Sequence, residues 1–416
     1  MNAFVIIGGG VAGVTAARRL AEEVSGQDEI HILSREPYPY YPRPLLWRFI
    51  AGAMNQEQLY FQPLSYYEGR GIRFHLESTV RTLDTEAHRV TLDDGSRVTY
   101  DRLLLATGAR PFVPPVEGAD KEGVFTLRTL EDAQAIKTWA GKASDAVVIG
   151  GGLLGLETAK ALDEAGPSVH VVEIADHLLP RQLDQEGARV LRRLLEAQGL
   201  KITTGSVVEA IVGDQGAEGV RTNQGRTLEG ELVLFSAGIR CRARLAEAAG
   251  LEVNRGAVVD EWMRTSADDV FAAGDVAEFE GDIGGIIPPA MEQAEIAAAN
   301  MLEAGSRQYG GTLPTTTLEV AGARLTSLGA FDPEEEETFE VVRHADPERG
   351  LYRKFVLRDG QVVGAILLND PQRAGLARQL IDRGVQVLEH RNRLVHDDFD
   401  LKSLLEVLGG QYDRRS

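Results

Sequence analysis

Cysteine is almost absent: Cys241 stands alone among 416 residues. A single thiol excludes an internal disulfide, a cysteine-ligated zinc site and a cysteine-held iron–sulfur cluster built from this chain alone. Cations are in the minority, 44 Lys and Arg against 63 Asp and Glu, a net charge of −19. That balance lacks the basic field that non-specific nucleic-acid binding needs, so no nucleic-acid partner is expected. Long apolar runs are missing too, with nothing approaching ~18 uninterrupted residues. The apolar stretch 3–14 has no basic residues before it and is interrupted by Gly8, Gly9 and Gly10. It reads as neither a signal segment nor a membrane span, and the expected location is cytoplasmic. The eight histidines show no metal-ligand spacing. No metal is expected, and His390 and His396 receive no role.

Glycine, by contrast, is abundant at 45 residues, about 11% against a typical ~7%. Much of it falls in one pattern that occurs twice. Phe4-Val5-Ile6-Ile7 precedes Gly8-Gly9-Gly10-Val11-Ala12-Gly13, and Ala146-Val147-Val148-Ile149 precedes Gly150-Gly151-Gly152-Leu153-Leu154-Gly155. Each copy is an apolar β-branched run, a G-x-G-x-x-G and a helix-forming stretch, 14–23 and 156–164. A second strand follows each, 29–33 and 168–174. In such a turn the glycines tighten the backbone, admit a pyrophosphate and let helix and strand pack closely, while the helix N-terminus favours the anion. One copy is weak evidence and reads as easily as an ordinary Gly-rich turn. Two copies, each between strand and helix, predict two dinucleotide sites.

An acidic residue about 20 positions after the first glycine is the expected ribose ligand. Glu173 lies 23 residues after Gly150, and Ile174, Ala175, Asp176 and His177 bring no Lys or Arg. A 2′-phosphate would be repelled there, so NAD is expected rather than NADP. In the first copy the nearest acid is Glu36, 28 residues after Gly8, a looser match. Residues 37–67 hold nine of the 26 aromatics and five prolines. They read as an irregular excursion with a short helix, whose aromatics either flank a ligand or pack as core. The runs 103–108, 232–238 and 269–275 read as buried strands ending in glycine turns, and 290–302 as a helix. Beyond 313 the chain turns α+β, with a hairpin about Asp359-Gly360 and helices at 372–382 and 400–408. The acidic run 334–337 reads as solvated loop.

Together with Ala106-Thr107-Gly108-Ala109-Arg110-Pro111 and the segment 265–275, these units resemble the FAD- and NAD-linked reductases of the pyridine nucleotide–disulfide oxidoreductase superfamily. The resemblance implies an α/β fold of two Rossmann-like domains, with the NAD domain inserted in the FAD domain, and a C-terminal α+β domain. It divides the chain into 1–112 with 245–312 for FAD, 113–244 for NAD, and 313–416 for an interface or docking role. The FAD set it implies is Gly8, Gly10, Ala12, Gly13, Glu36, Arg43, Ala106, Thr107, Gly108, Gly274, Asp275, Glu292 and Gln293. The NAD set is Gly150, Gly152, Leu153, Leu154, Gly155, Glu173, Ala237 and Gly238. Arg48, as a cation near the flavin, and Glu157, pointing at that cation, are the implied catalytic pair; ordinary surface charge is the plainer alternative.

The disulfide reductases of this superfamily carry a Cys-x4-Cys after the first unit, and the window 37–52 has no cysteine. Their C-terminal His–Glu dyad is not recognisable either. What remains is similar to NADH:rubredoxin oxidoreductases and the FAD/NAD module of NADH:nitrite reductases, on residues 39–46, 181–184 and 352–368. That narrower likeness implies hydride transfer from NADH to flavin N5 and electron delivery to an iron–sulfur carrier or cluster-bearing subunit, without a thiol relay. An NADH oxidase acting on dioxygen and an FAD-binding structural or signalling protein fit the same motifs. For an acidic carrier, Arg324, Arg353, Lys354 and Arg358, extended by Arg43 and Arg48, are the expected docking patch. Cys241 is expected to be a small, partly buried side chain rather than a reactive thiol.

Overall fold

A computed structural model describes residues 2–24, 26–320, 322–333 and 338–405. The chain forms two compact units, Met1–Phe112 with Gly238–Thr312 and Val113–Ala237 with Leu313–Ser416.

The first unit is built on a five-stranded parallel sheet in the order Val270–Ala272, Arg102–Leu105, Ala3–Ile7, Glu29–Leu33, Ile72–His75. Its central strands are β-branched and leucine-rich because both faces are covered, which suits a parallel sheet. Phe4, Val5, Ile6, Leu103, Leu104, Ile30 and Ile32 are all buried. The helix Val11–Glu23 makes the crossover from Ala3–Ile7 to Glu29–Leu33 and packs against the long helix Ile287–Leu302. Alanines 12, 16 and 17 of one helix and 294, 297 and 298 of the other belong to one buried core. An antiparallel meander, Val80–Asp84, Arg89–Leu92 and Arg97–Thr99, extends this unit.

The second unit repeats the plan. Its parallel sheet runs Lys201–Thr203, Ser168–Val172, Asp145–Ile149, Leu232–Phe235, Val124–Thr126, with Leu153–Ala165 as the crossover helix. It carries its own meander at Val208–Val212, Gly219–Thr222 and Thr227–Glu229. The same unit includes an antiparallel sheet in the order Thr315–Val320, Ala323–Gly329, Gln361–Leu368, Leu351–Arg358, Glu340–Asp346. Its hairpin turns at Asp359 and Gly360, with φ of 52° and 76°. Two consecutive left-handed residues match the twist of the flanking strands.

Several sequence expectations are corrected here. The stretch 37–67 holds a 3-10 turn, Arg43–Leu45, and three short helices, Leu46–Ile50, Gln56–Leu59 and Leu64–Glu68, rather than one. Asn55 and Gln58 form a reciprocal capping box that starts the second of these helices. Both meanders, and the helices Leu130–Ala140 and Gln185–Ala197, have no counterpart in the sequence reading. Tyr67 lies in the core against Phe74, so this part of the aromatic cluster is plain packing. The C-terminal helix is described only over 401–405. The acidic run 334–337, read as a solvated loop, lies outside the described residues.

The largest correction concerns the docking patch. Arg353 and Lys354 are 6% and 4% exposed. Arg353 reaches Asp370 and Asp397, each at 2.6 Å, and Lys354 reaches Asp332 at 2.7 Å and Asp184 at 3.0 Å. Burial without such partners would cost several kcal/mol, so these cations are consumed inside the fold. Arg324 and Arg358 remain exposed.

No helix among the described residues is long and apolar enough to cross a membrane.

Candidate functional site

Both Gly-rich turns close the same way. Gly8 has φ +125° and Gly150 +121°, a region that costs L side chains energy. A Cβ on Gly8 would sit 2.6 Å from the Ala106 carbonyl carbon, and one on Gly150 would sit 2.8 Å from that of Ser236. A Cβ on Gly13 or Gly155 would run into the carbonyl of Gly8 or Gly150. These four glycines are demanded by the protein's own backbone.

Gly10 and Gly152 differ. They cap the helices Val11–Glu23 and Leu153–Ala165 with φ of −83° and −81°, which any residue adopts. Nothing lies within 4 Å of a Cβ built on either. The fold does not require glycine there, but an anion drawn against the helix N-terminus does. Ala12, Leu153 and Leu154 complete the first helical turns. This arrangement fits a pyrophosphate at each turn.

In the first unit the 106–108 turn lies against Gly8 and the Gly274 turn against Ala12. The Arg43 guanidinium donates to Glu36 at 2.6 Å, and the Tyr41 hydroxyl donates to the same carboxylate. Burial pushes the Glu36 carboxyl up, but Arg43 and Tyr41 outweigh it and hold the group below the ordinary range. Tyr41 was read only as one of the aromatics of 37–67, not as a partner of Glu36; its place two residues before Arg43 was the available signal. Ser34 and Phe74 were given no site role from sequence, and they press against Gly9. Gly108 adopts φ 67°, and its carbonyl accepts from the Arg242 amide at 2.8 Å. The Thr107 hydroxyl donates to the Arg242 carbonyl at 3.0 Å. Gly274, at φ 79°, donates its amide to Gln293 at 2.9 Å. Gln293, 3% exposed, thus fixes the turn that presents Asp275. Glu292 is engaged elsewhere, accepting from the Thr312 hydroxyl at 2.6 Å. Arg48 stacks its guanidinium 5.1 Å from the Trp47 ring centre. Its buried Nε has no hydrogen-bond partner among the described residues, an orphan that a bound acceptor would satisfy.

In the second unit Glu173 is 7% exposed. Its carboxylate accepts from the Gly151 amide at 2.6 Å and the Ala175 amide at 2.8 Å. It is therefore held in place at the strand end, with lone pairs to spare. Gly238, φ 98°, is the counterpart of Gly108, and Ala237 that of Thr107. Ser236 takes the part of Ala106 and was not singled out from sequence. Glu157 lies half-buried one turn into its helix. It belongs to the second unit and Arg48 to the first.

Cys241 is partly buried in the first unit. Burial and the nearby Asp275 carboxylate push its thiol up, away from the reactive thiolate. Among the described residues no group of His, Cys, Asp and Glu could hold a metal.

Two family models match the chain. A family model described as pyridine nucleotide-disulphide oxidoreductase matches residues 2–300, and one described as the rubredoxin NAD+ reductase C-terminal domain matches residues 314–385. The chain is 35% identical over 385 residues to the nitrite reductase (NAD(P)H) of Bacillus subtilis (strain 168), covering 92% of this chain and 48% of that protein. It spans about half the length of the first curated relatives it matches. It is also 31% identical over 414 residues to the benzene 1,2-dioxygenase system ferredoxin–NAD(+) reductase subunit of Pseudomonas putida, covering 98% of this chain and 99% of that one. Among solved structures, the covalent putidaredoxin reductase–putidaredoxin complex superposes with a TM-score of 0.86 at 28% identity, covering 98% of this chain and 99% of that one. Two Gly-rich turns whose open glycines suit pyrophosphates, set in a matched stretch that runs through both of them, lead to one assignment: the chain belongs to the pyridine nucleotide-disulphide oxidoreductase family.

Proposed function

We propose that this protein passes electrons from NADH through FAD to an iron–sulfur acceptor, a small carrier or a cluster-bearing subunit, with no thiol relay. The observation that carries the reading is the placement of the single cysteine. No thiol stands in the 37–52 segment, and Cys241 is held protonated by burial and by Asp275. Electrons that cannot pass through a disulfide must leave the flavin directly. Bound FAD supplies the exchange between the two-electron chemistry of NADH and one-electron acceptors. The names of the relatives, ferredoxin–NAD(+) reductase and nitrite reductase, support the same class of acceptor. In this reading the protein works in the cytoplasm, where a lone reduced cysteine is the ordinary state.

For the FAD site, this reading takes the Gly8–Gly13 turn for the pyrophosphate, Glu36 with Arg43 and Tyr41 for the adenosine end, and Asp275 for the ribityl end. The turn 106–108 lines the same site, and Arg48 offers its orphaned Nε to the flavin. The Gly150–Gly155 turn, Glu173 and Gly238 serve NADH. Residues 313–416 are taken as the docking segment, through exposed groups other than Arg353 and Lys354.

Anaerobic mixing of the protein with NADH and an oxidised ferredoxin or rubredoxin should bleach the cluster with multiple turnovers, and far faster than dioxygen is consumed in air. Cys241→Ser should follow the same time course within about twofold, since a tenfold loss would be ~1.4 kcal/mol and would mean a thiol role. Oxygen uptake that outruns cluster reduction would replace this reading by an NADH oxidase.

Glu173 also sets the nucleotide. NADH should be preferred to NADPH because a buried carboxylate repels a 2′-phosphate. Glu173→Ser removes the charge and the anchor of the Gly151 amide. The KM for NADH should rise about tenfold and that for NADPH should fall, read from initial rates with a one-electron dye. Equal use of both nucleotides by the unaltered protein would defeat the argument.

A further inference from the structure

Residues 174–184 run from Glu173, which holds the Gly151 amide, to the start of the helix Gln185–Ala197. The segment has no regular structure, yet it is tied down throughout. The Leu179 amide donates to the Gly151 carbonyl at 3.1 Å, and Leu178 packs against Gly151. Leu179 itself takes a left-handed φ of 52°, unusual for leucine, and its carbonyl accepts from the Gln182 and Leu183 amides at 2.8 and 2.9 Å. The His177 ring lies 3.2 Å from the Leu183 carbonyl. Gly151 is therefore gripped on both sides: Glu173 takes its amide and the 178–179 corner takes its carbonyl.

The far end of the segment is Asp184. One oxygen of its carboxylate caps the following helix through the Gly187 amide at 2.9 Å. The other accepts from the Tyr352 hydroxyl at 2.6 Å and from Lys354 at 3.0 Å, both on the C-terminal strand Leu351–Arg358. Gly187 is needed for this approach, because a Cβ there would stand 2.8 Å from the Tyr352 ring. Tyr352 and Lys354 are buried. Burial pushes the Asp184 carboxyl up, but Tyr352, Gly187 and Lys354 hold it below its ordinary value, so it remains the charged acceptor.

We infer that Tyr352 and Lys354 are positioning residues for the nicotinamide nucleotide, acting through Asp184 and the 174–184 segment on the Gly151 peptide and Glu173. The C-terminal sheet thus contributes to NADH binding and not only to contact with an acceptor. A buried lysine, tyrosine and carboxylate are a strong, directional anchor. Fixing one end of an eleven-residue segment reduces the freedom that NADH would otherwise have to remove on binding. The effect therefore belongs in affinity for NADH and not in the chemical step.

The inference rests on the reading of Glu173 and Gly151 as the NADH site, and the test separates the two. Tyr352→Phe deletes one hydroxyl and keeps the ring. With FAD-loaded protein and a one-electron dye, it should raise the KM for NADH about threefold to tenfold and leave kcat at saturating NADH within about twofold. Lys354→Met should do the same with a larger rise. Amide exchange should speed up over 175–183 in both variants while flavin content stays full. Glu173→Ser is the control. If it raises the KM for NADH and Tyr352→Phe does not, the anchor is only structural and the inference fails. If Glu173→Ser leaves the KM unchanged, the site assignment beneath it fails instead. A parallel fall of kcat, flavin content and thermal midpoint in Tyr352→Phe would also overturn it.

Discussion

Gly152→Asp should give a folded, flavin-loaded protein that no longer reacts with NADH, and Gly10→Asp a folded protein without flavin. Both positions are helix N-caps with ordinary φ, and a Cβ at either meets nothing within 4 Å. Aspartate is a favoured N-cap residue, so the helices themselves lose nothing. What each variant places in the turn is a negative charge where the pyrophosphate must come. Two unit charges 4 Å apart repel by about 4 kcal/mol at an effective dielectric of 20, which is two to three orders of magnitude in affinity. The measurements are the flavin-to-protein absorbance ratio, the KM for NADH and the thermal midpoint. Gly8→Ala and Gly150→Ala are the contrast. Each puts a side chain at φ above +120° and against a backbone carbonyl, and each should cost folding itself. A Gly152→Asp protein with an unchanged KM for NADH would remove the second turn as the nucleotide site.

Arg353→Met should destabilise the C-terminal sheet by about 3–5 kcal/mol, the usual cost of leaving one partner of a buried ion pair unpaired. The Arg353 side chain is 7% exposed and bonds Asp370, Asp397 and the Val395 carbonyl. Asp370 also caps the helix Pro371–Asp382, and Arg373 ties that helix to the carbonyls of Leu394, His396 and Phe399. Losing Arg353 leaves Asp370 with Arg373 alone. Urea unfolding followed by near-ultraviolet circular dichroism would report the loss, and a change under about 1 kcal/mol would show that methionine packing replaces the pair. The same network has a pH signature. Hydrogen bonds from Arg349 and Arg353 hold the Asp397 carboxyl down at about 2. A carboxylate depressed in the folded state stabilises above its unfolded value, ~3.9, and that stabilisation is lost as pH falls toward 2. Acid unfolding of the sheet should therefore begin at a higher pH in Arg353→Met.

Much of the fold was legible because it is written in local signals. The two strand–glycine–helix units, the strand endings at 108, 238 and 274, and the hairpin at Asp359-Gly360 depend on residues close in sequence. Only one of the short helices after Arg43 was expected, because proline and aromatics obscure a period shorter than two turns. The meanders were missed because strands of three to five half-exposed residues alternate too briefly to register. The docking patch failed for a different reason. Composition reports that Arg353 and Lys354 are cations, but not that Asp370, Asp397, Asp332 and Asp184 fold back to meet them.

What the sequence determined by itself was the pair of strand–glycine–helix turns, since a G-x-G-x-x-G between a strand and a helix constrains its own backbone, and the lone position of Cys241, since cysteines can be counted. Only the tertiary structure decided which glycines serve the backbone and which leave room for a ligand, because that depends on carbonyls at Ala106 and Ser236, about a hundred positions along the chain. It alone decided that Glu173 is anchored, that Glu292 is spent on Thr312, and that the cations of the C-terminal sheet are buried. Each of these turns on which distant group lies within hydrogen-bonding reach, and spacing along the chain does not carry that information.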